Sequence, residues 1–388
     1  MNRTRTLPML PGTLSLLLAV LFLFAYGRCV FAENGVTVNG ITIGMCNALT
    51  GPASALGTGM KKGSMVYFDK INKAGGVNGR KIKVISYDDG YEPKNTVAQT
   101  KKLISDDRVF ALFGYVGTPT SSAVLPLINE SKIPFWAPFT GAEFLRAPLN
   151  RFIFNVRGSY FDEAETQVQY LTEKRGIRKI AIFYQNDAYG LAVKGGILKA
   201  LKKRNLELAG EGTYERNTED VAAALASLKK SAPDAVSMVG TYKAMAAFIK
   251  KARSEGFNPV FLNVSFVGTA ALVKELGGAG DGVIITQVMP SPRDASVALV
   301  AQYRADMKAA GYKELDYTDL EGYMDAVVFV ETLKKAGKEL TRDSFIASAE
   351  GLNATIGGLT FRFTPADHHA LDTIYLTKIA GMQVEAVK

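Results

Sequence analysis

Residues 41–90 read ITIGMCNALTGPASALGTGMKKGSMVYFDKINKAGGVNGRKIKVISYDDG, and the succession of patterns in them decides the fold. ITIGM alternates as a strand does, and a small-residue loop follows at Leu49-Thr50-Gly51-Pro52. Met65, Val66, Tyr67, Phe68 and Ile71 give an apolar face to a helix that stops at Gly75-Gly76. Asn78-Gly79 then turns the chain into RKIKVISYDD, a second strand. This is a βαβ unit without a phosphate-binding fingerprint. Gly57, Gly59 and Gly63 are spaced G-x-G-x-x-x-G, one residue too long for a dinucleotide loop, and fall where the helix is already under way.

Outward from this unit, strands and helices alternate for most of the 388 residues, the pattern of parallel sheets covered by helices. One series runs through strands at 109–114, 133–137 and 152–156. A second begins with a helix at 162–174 and a strand at 179–184 and closes with strands at 260–264 and 282–288. Helices at 297–310, 320–336 and 342–350 come next, and a tail of short antiparallel strands ends the chain. We read two similar α/β halves, with Val156–Ser159 and Met289–Pro292 as candidate hinges.

The first thirty-two residues carry Arg3 and Arg5, an apolar run from Leu14 to Tyr26, and a small-residue cleavage site at Val30-Phe31-Ala32. This is a secretory signal, too short for a good spanning helix. Cys29 follows Arg28, which is wrong for lipoprotein processing. Cleavage removes three arginines and no acid from a net charge of +9, and the remaining basic residues are scattered, so nucleic acid is not expected as a partner. Only Cys46 remains, so no internal disulfide forms. The remaining chain is long enough to build a core without one.

In open α/β sheets ligands bind beyond the carboxyl ends of the strands, where loops enter helix N-termini. Those positions hold Tyr115, Gly117, Thr118 and Pro119 after one strand, with Thr118 expected as N-cap. Phe139, Thr140 and Gly141 follow the next, with Thr140 and Glu143 spaced as a capping box. Two helix N-termini side by side would seat a carboxylate. In the second half the equivalent loops carry Asp187 and Tyr189, then Thr241 and Tyr242, then Ser265 and Phe266, residues suited to gripping a small organic molecule. No nucleophile elbow, His-Glu-x-x-His, zinc-spaced cysteine pair or P-loop occurs, so neither an enzyme nor a metal or cofactor site is expected. Asp88-Asp89 reads as a turn-capping pair. His368 and His369 read as a polar loop.

LTGPASALGTGMKKG, INKAGGVNGRKIKVISYDDGYEP, KLISDDRVFALFGYVG, IPFWAPFTGAEFL, NDAYG and KKARSEGF, in that order, closely resemble the type I periplasmic binding proteins. The nearest branch is the leucine/isoleucine/valine-binding proteins that feed ABC importers. The resemblance implies two doubly wound, Rossmann-like lobes joined by a three-strand hinge and closing on ligand. It divides the chain into lobe one at 33–157, lobe two at 158–288, a lobe-one return at 289–357 and lobe-two strands at 358–388. It implies that Thr118 holds a ligand carboxylate, that Phe139 and Gly141 contact it from the adjoining loop, that Tyr189 reaches in from lobe two, and that Leu56 and Thr241 form walls. It further implies a periplasmic, monomeric receptor partnered by an ABC permease in the inner membrane. A membrane sensor kinase or cyclase as partner, and an exported α/β enzyme, stay open as alternatives. One departure bears on the ligand. Amino-acid-binding members place a glutamate for the ligand ammonium where this chain has Ser265, so an uncharged or aromatic tail on a small carboxylate is expected ahead of a branched-chain amino acid. The cysteines of a lobe-one disulfide in some members are replaced by Tyr91 and Gly117.

Overall fold

A computed structural model describes residues 33–387; the expected signal segment, with Cys29, lies outside them. The opening unit forms β1 (Gly40–Asn47), α1 (Ser54–Lys73) and β2 (Lys81–Asp88). Its two strands pair in parallel from Gly40↔Lys81 to Asn47↔Asp88. Gly57, Gly59 and Gly63 lie inside α1. A Cβ on Gly57 would stand 2.0 Å from the Ala48 carbonyl oxygen, and one on Gly63 1.8 Å from that of Asp319. Gly57 and Gly63 let α1 close onto its neighbours.

Lobe one continues with α2 (Pro93–Ser105), β3 (Leu112–Phe113), α3 (Thr118–Ser131), β4 (Phe135–Trp136) and β5 (Ile153–Phe154). Its sheet is wholly parallel in the order β2-β1-β3-β4-β5. Lobe two follows with α4 (Tyr160–Gln169), which widens into a π turn at Tyr170–Lys174, then β6 (Ile180–Gln185), α5 (Ala188–Lys202), β7 (Glu211–Tyr214) and α6 (Ala222–Ser231). β8 (Ala235–Val239), α7 (Tyr242–Ser254), β9 (Val260–Asn263), α8 (Thr269–Leu276) and β10 (Ile284–Gln287) complete its parallel part. The strand order β7-β6-β8-β9-β10 repeats that of lobe one. Helices cover both faces of each sheet, so β6 and β8 are buried along their whole length.

The chain then returns. α9 (Ala298–Ala309), α10 (Tyr317–Ala336) and α11 (Arg342–Glu350) bring Tyr303, Tyr323, Phe329 and Phe345 into one buried cluster with Ile43, Phe68, Phe113 and Trp136. β11 (Asn353–Ile356) and β12 (Leu359–Arg362) form a separate hairpin. β13 (Tyr375–Ala380) and β14 (Gln383–Ala386) add antiparallel strands beside β10. Three segments therefore cross between lobes, at 155–159, 288–297 and 363–374. The passage to lobe two expected at 358 comes later: Phe361 and Phe363 still belong to the lobe-one core, Phe363 packing 5.6 Å from the Trp136 ring. His368 is also no part of a polar loop. It is buried in the third crossover, stacked 4.0 Å from Phe154, with Nδ1 2.9 Å from the Ile153 carbonyl oxygen. Cys46 is buried, and desolvation together with neighbouring Asp89 pushes its thiol far up, away from reactivity.

Candidate ligand-binding site

The sheet order of lobe one reverses at β1 and β3, and the loops beyond those strand ends build one wall of the cleft. Asp88 accepts backbone N–H bonds from Leu49 and Gly90, and Asp89 accepts one from Tyr91 and a hydroxyl bond from Thr96, so the pair holds these turns. Tyr91 is fully buried and at positive φ (63°), against Gly117. A Cβ at Gly117 would lie 2.3 Å from the Tyr91 ring, and Gly117 itself is at φ 111°. The Tyr91 ring thus fills the space that a side chain at position 117 would occupy.

This arrangement moves the start of α3 by one residue. Gly117, not Thr118, is the N-cap, and Thr118 is the first helical residue. Its hydroxyl is free to bond Thr140 Oγ1 at 2.7 Å, both side chains fully buried. The capping box expected at Thr140 and Glu143 is not formed: Glu143–Leu145 is a single 3-10 turn without a side-chain cap, and Thr140 Oγ1 accepts from Ala142 N at 3.2 Å. One full helix N-terminus points here rather than two. Gly141 is required by backbone approach, since a Cβ there would lie 2.6 Å from Tyr160 N. Tyr160, the first residue of α4, brings its hydroxyl toward Thr118 and Thr140, without a hydrogen-bonding partner among the described residues. Burial pushes that phenol up to about 12.

The facing wall comes from lobe two and meets lobe one directly. Phe266 lies 5.9 Å from Tyr91, 5.3 Å from Phe139 and 4.7 Å from Tyr189 between ring centroids. Leu56, Tyr160 and Val116 complete a buried cluster that spans both lobes. Tyr189 stands on α5 with its hydroxyl buried and unpartnered among the described residues. Ala55 N–H donates to the Tyr242 hydroxyl across the cleft (3.4 Å), and Thr241 is the N-cap residue of α7, without a side-chain capping bond. At the mouth, Arg216 bonds Glu92 of lobe one (3.0 Å) and Asp187 of lobe two (3.0 Å), and Asn217 bonds Glu92 at 2.6 Å. The lobes are shut on one another.

Two expected residues do not join this site. Tyr115 turns into the outer core of lobe one, its hydroxyl 2.9 Å from Thr100 and its ring 5.1 Å from Phe135. Its neighbours Gly114 and Val116 take the inward-facing places. Asp187, expected among the gripping residues of the second half, is engaged instead by Arg216, Gln185 and the Tyr189 backbone.

Four charged residues that sequence reading passed over gather at the hinge end of the cleft. Arg157, in the first crossover, donates to Ser265 Oγ and stands 3.8 Å from Glu163 and 3.5 Å from Glu321. Ser265 N and Oγ donate to the two oxygens of Glu163 at 2.7 and 2.8 Å. Arg157 also stacks over Phe139, 4.7 Å from the ring centroid. Burial pulls the Arg157 guanidinium down, but Glu321, Tyr160 and Glu163 outweigh it and the net shift is upward. Burial raises Glu163 against Arg157, carries Glu321 up to about 7, and lifts Asp325 well above the carboxylate range. A cavity of about 10 Å³ adjoins Phe139, Ser265, Glu321 and Thr318. The sequence did carry signals for these residues: Arg157 is a charge inside an otherwise uncharged crossover, and Glu321 and Asp325 interrupt an apolar helix.

Among the described residues no cluster of His, Cys, Asp and Glu is arranged to hold a metal ion, and no helix is long and apolar enough to cross a membrane. The sequence profile of the periplasmic binding protein family matches residues 40–383. The Leucine-specific-binding protein of Salmonella typhimurium is 24% identical over 330 residues, covering 84% of this chain and 88% of that protein. A crystal structure from Rhodopirellula baltica, described as a possible leucine/isoleucine/valine-binding protein, is 35% identical with a TM-score of 0.87, covering 90% of this chain and 97% of the other. A fatty acid ABC transporter substrate-binding protein from Thermomonospora curvata is 26% identical with a TM-score of 0.82, covering 92% and 93%. With two lobes of repeated strand order, three crossovers and a cleft at their switch points, the chain belongs to the type I periplasmic binding proteins, a family of non-enzymatic ligand-binding proteins, in its leucine/isoleucine/valine-binding branch.

Proposed function

We propose that this protein is the periplasmic solute receptor of an ABC importer and captures a small carboxylate between its lobes. The ligand carboxylate is held at the N-terminus of α3 by Thr118 and Thr140 with Tyr160, and its apolar tail lies against Leu56, Tyr91, Phe139, Tyr189 and Phe266. The observation that carries this reading is the group of buried hydroxyls at one helix N-terminus, roofed by aromatic rings from both lobes. A helix N-terminus stabilises an anion without a counter-charge, and the aromatic roof excludes water. Bound ligand would join the two walls, favour the shut form and present one shape to the permease. Periplasmic placement rests on the arginine-flanked apolar run of the first thirty-two residues.

A thermal-shift and titration screen of small carboxylates tests the reading. At a hundredfold excess over Kd a true ligand adds about 2.7 kcal/mol of stability. Thr118→Val keeps the shape and removes a hydroxyl that bonds a charged group, so affinity should drop by about 10- to 100-fold. A screen in which only uncharged solutes stabilise the protein, or a Thr118→Val variant that binds the carboxylate as well as wild type does, would reject it.

A further inference from the structure

We infer that Arg157 is a ligand-contacting residue and fixes the ligand as a carboxylic acid without an α-ammonium group, its second polar group a hydrogen-bond acceptor such as a carbonyl oxygen. The inference rests on the carboxylate reading of the cleft and narrows it.

The sequence has Ser265 where an ammonium-neutralising glutamate is expected. The structure shows what occupies the surroundings of that position. Glu163 approaches from behind and is already bonded by Ser265 N, Ser265 Oγ and Thr286 Oγ1. Arg157 is 1% exposed, bonded to Ser265 Oγ and placed between Glu163 of lobe two and Glu321 of lobe one. The acids that could have received an ammonium therefore face a guanidinium instead. A ligand ammonium brought here would be buried beside a like charge and beside carboxylates already paired.

The same guanidinium retains donor capacity. Arg157 Nε and Nη1 have no hydrogen-bonding partner among the described residues, although both are buried; Glu321 lies near Nη1 in charge contact only. Arginine cannot shed its proton to relieve this, so an acceptor delivered by a ligand is the group that suits it. The geometry connects it to the carboxylate seat: Arg157 stacks over Phe139 and lies 6.0 Å from the Tyr160 ring, whose hydroxyl faces Thr118 and Thr140. A ligand with its carboxylate at Thr118 and a carbonyl on the adjacent carbon would offer that oxygen toward Arg157. Arg146 supports the arrangement from the outside, donating to the Arg157 carbonyl oxygen (2.9 Å) and so holding the crossover in place.

Matched pairs that differ only at the α-carbon test this on the wild-type protein, by titration calorimetry and thermal shift: leucine against 4-methyl-2-oxopentanoate, and phenylalanine against phenylpyruvate. The expected result is at least about tenfold tighter binding of the 2-oxo member of whichever pair fits the pocket, a difference of about 1.4 kcal/mol. Arg157→Lys keeps the charge but loses the planar fork, and should narrow the ratio; Ser265→Glu should move it toward the amino acid. Amino acids binding wild type as tightly as their 2-oxo partners would overturn the inference while leaving the carboxylate seat standing. Binding of neither acid, with stabilisation by an uncharged analogue, would overturn both. If either variant fails to fold, the wild-type ratio alone decides.

Discussion

Ser265 and Glu321 illustrate how much a single position decides. Ser265 could be flagged from sequence as a departure, but its meaning depends on Glu163 and Arg157, which are 102 and 108 residues away and became neighbours only through the fold. Glu321 has a second consequence. Its folded pKa stands at about 7 against an ordinary 4.5, chiefly because of burial. Between those values the folded protein keeps a proton that the unfolded chain has released. This contribution to stability is therefore full below about pH 4.5 and is lost as pH rises through about 7. Glu321→Gln does not titrate. Its melting temperature relative to wild type should climb between pH 5 and pH 7 and level off above, as calorimetry at four pH values would record. A constant difference across that range would mean that Glu321 is charged throughout.

At the scale of elements, the helices were legible and the strands of lobe one less so. The periodicity marked α10 and α11 to within three residues at their starts, and α11 to the residue. The apolar runs at 109–114 and 133–137 suggested strands of five or six residues, yet β3 and β4 have two each. The rest is buried loop, and hydrophobicity reports burial, not ladder pairing. The α3 start missed by one residue for a similar reason: the cap is chosen by Tyr91 pressing on Gly117, a contact between segments. The glycines of α1 were readable as misplaced for a nucleotide but not as packing devices, since the Asp319 carbonyl that presses on Gly63 comes from α10. Gly63→Ala should destabilise by about 1–3 kcal/mol through overpacking. Gly278→Ala, with nothing within 4 Å of its added methyl, is the control and should change stability by less than about 0.5 kcal/mol. Urea midpoints measure both, and equal effects would remove the close-approach argument.

For the whole molecule, the two-lobed architecture was legible because the alternating pattern repeats and the crossovers fall where it breaks. The third crossover was misjudged because β11 and β12 look like the strands after them, while Phe361 and Phe363 are retained by the Trp136 cluster. The shut arrangement, with Arg216 and Asn217 reaching Glu92, had no sequence signal at all, since it joins loops over 120 residues apart.

The packing of α1 on α10 also sets the order in which the chain can fold. Residues 54–73 wait for residues 317–336, so the first-made half of lobe one has no partner for one face until most of the polypeptide exists. The parallel part of lobe two is drawn from one continuous stretch, β6 to β10, and closes its loops at far shorter separations. Lobe two should therefore consolidate first during refolding, with amides of β6, β8 and β9 protected in pulse-labelled hydrogen exchange before those of β1 and α1. Protection of β1 and α1 ahead of them would contradict this. Such an order would keep the leading end unfolded for longest, as the proposed periplasmic role would need of a polypeptide threaded before it sets.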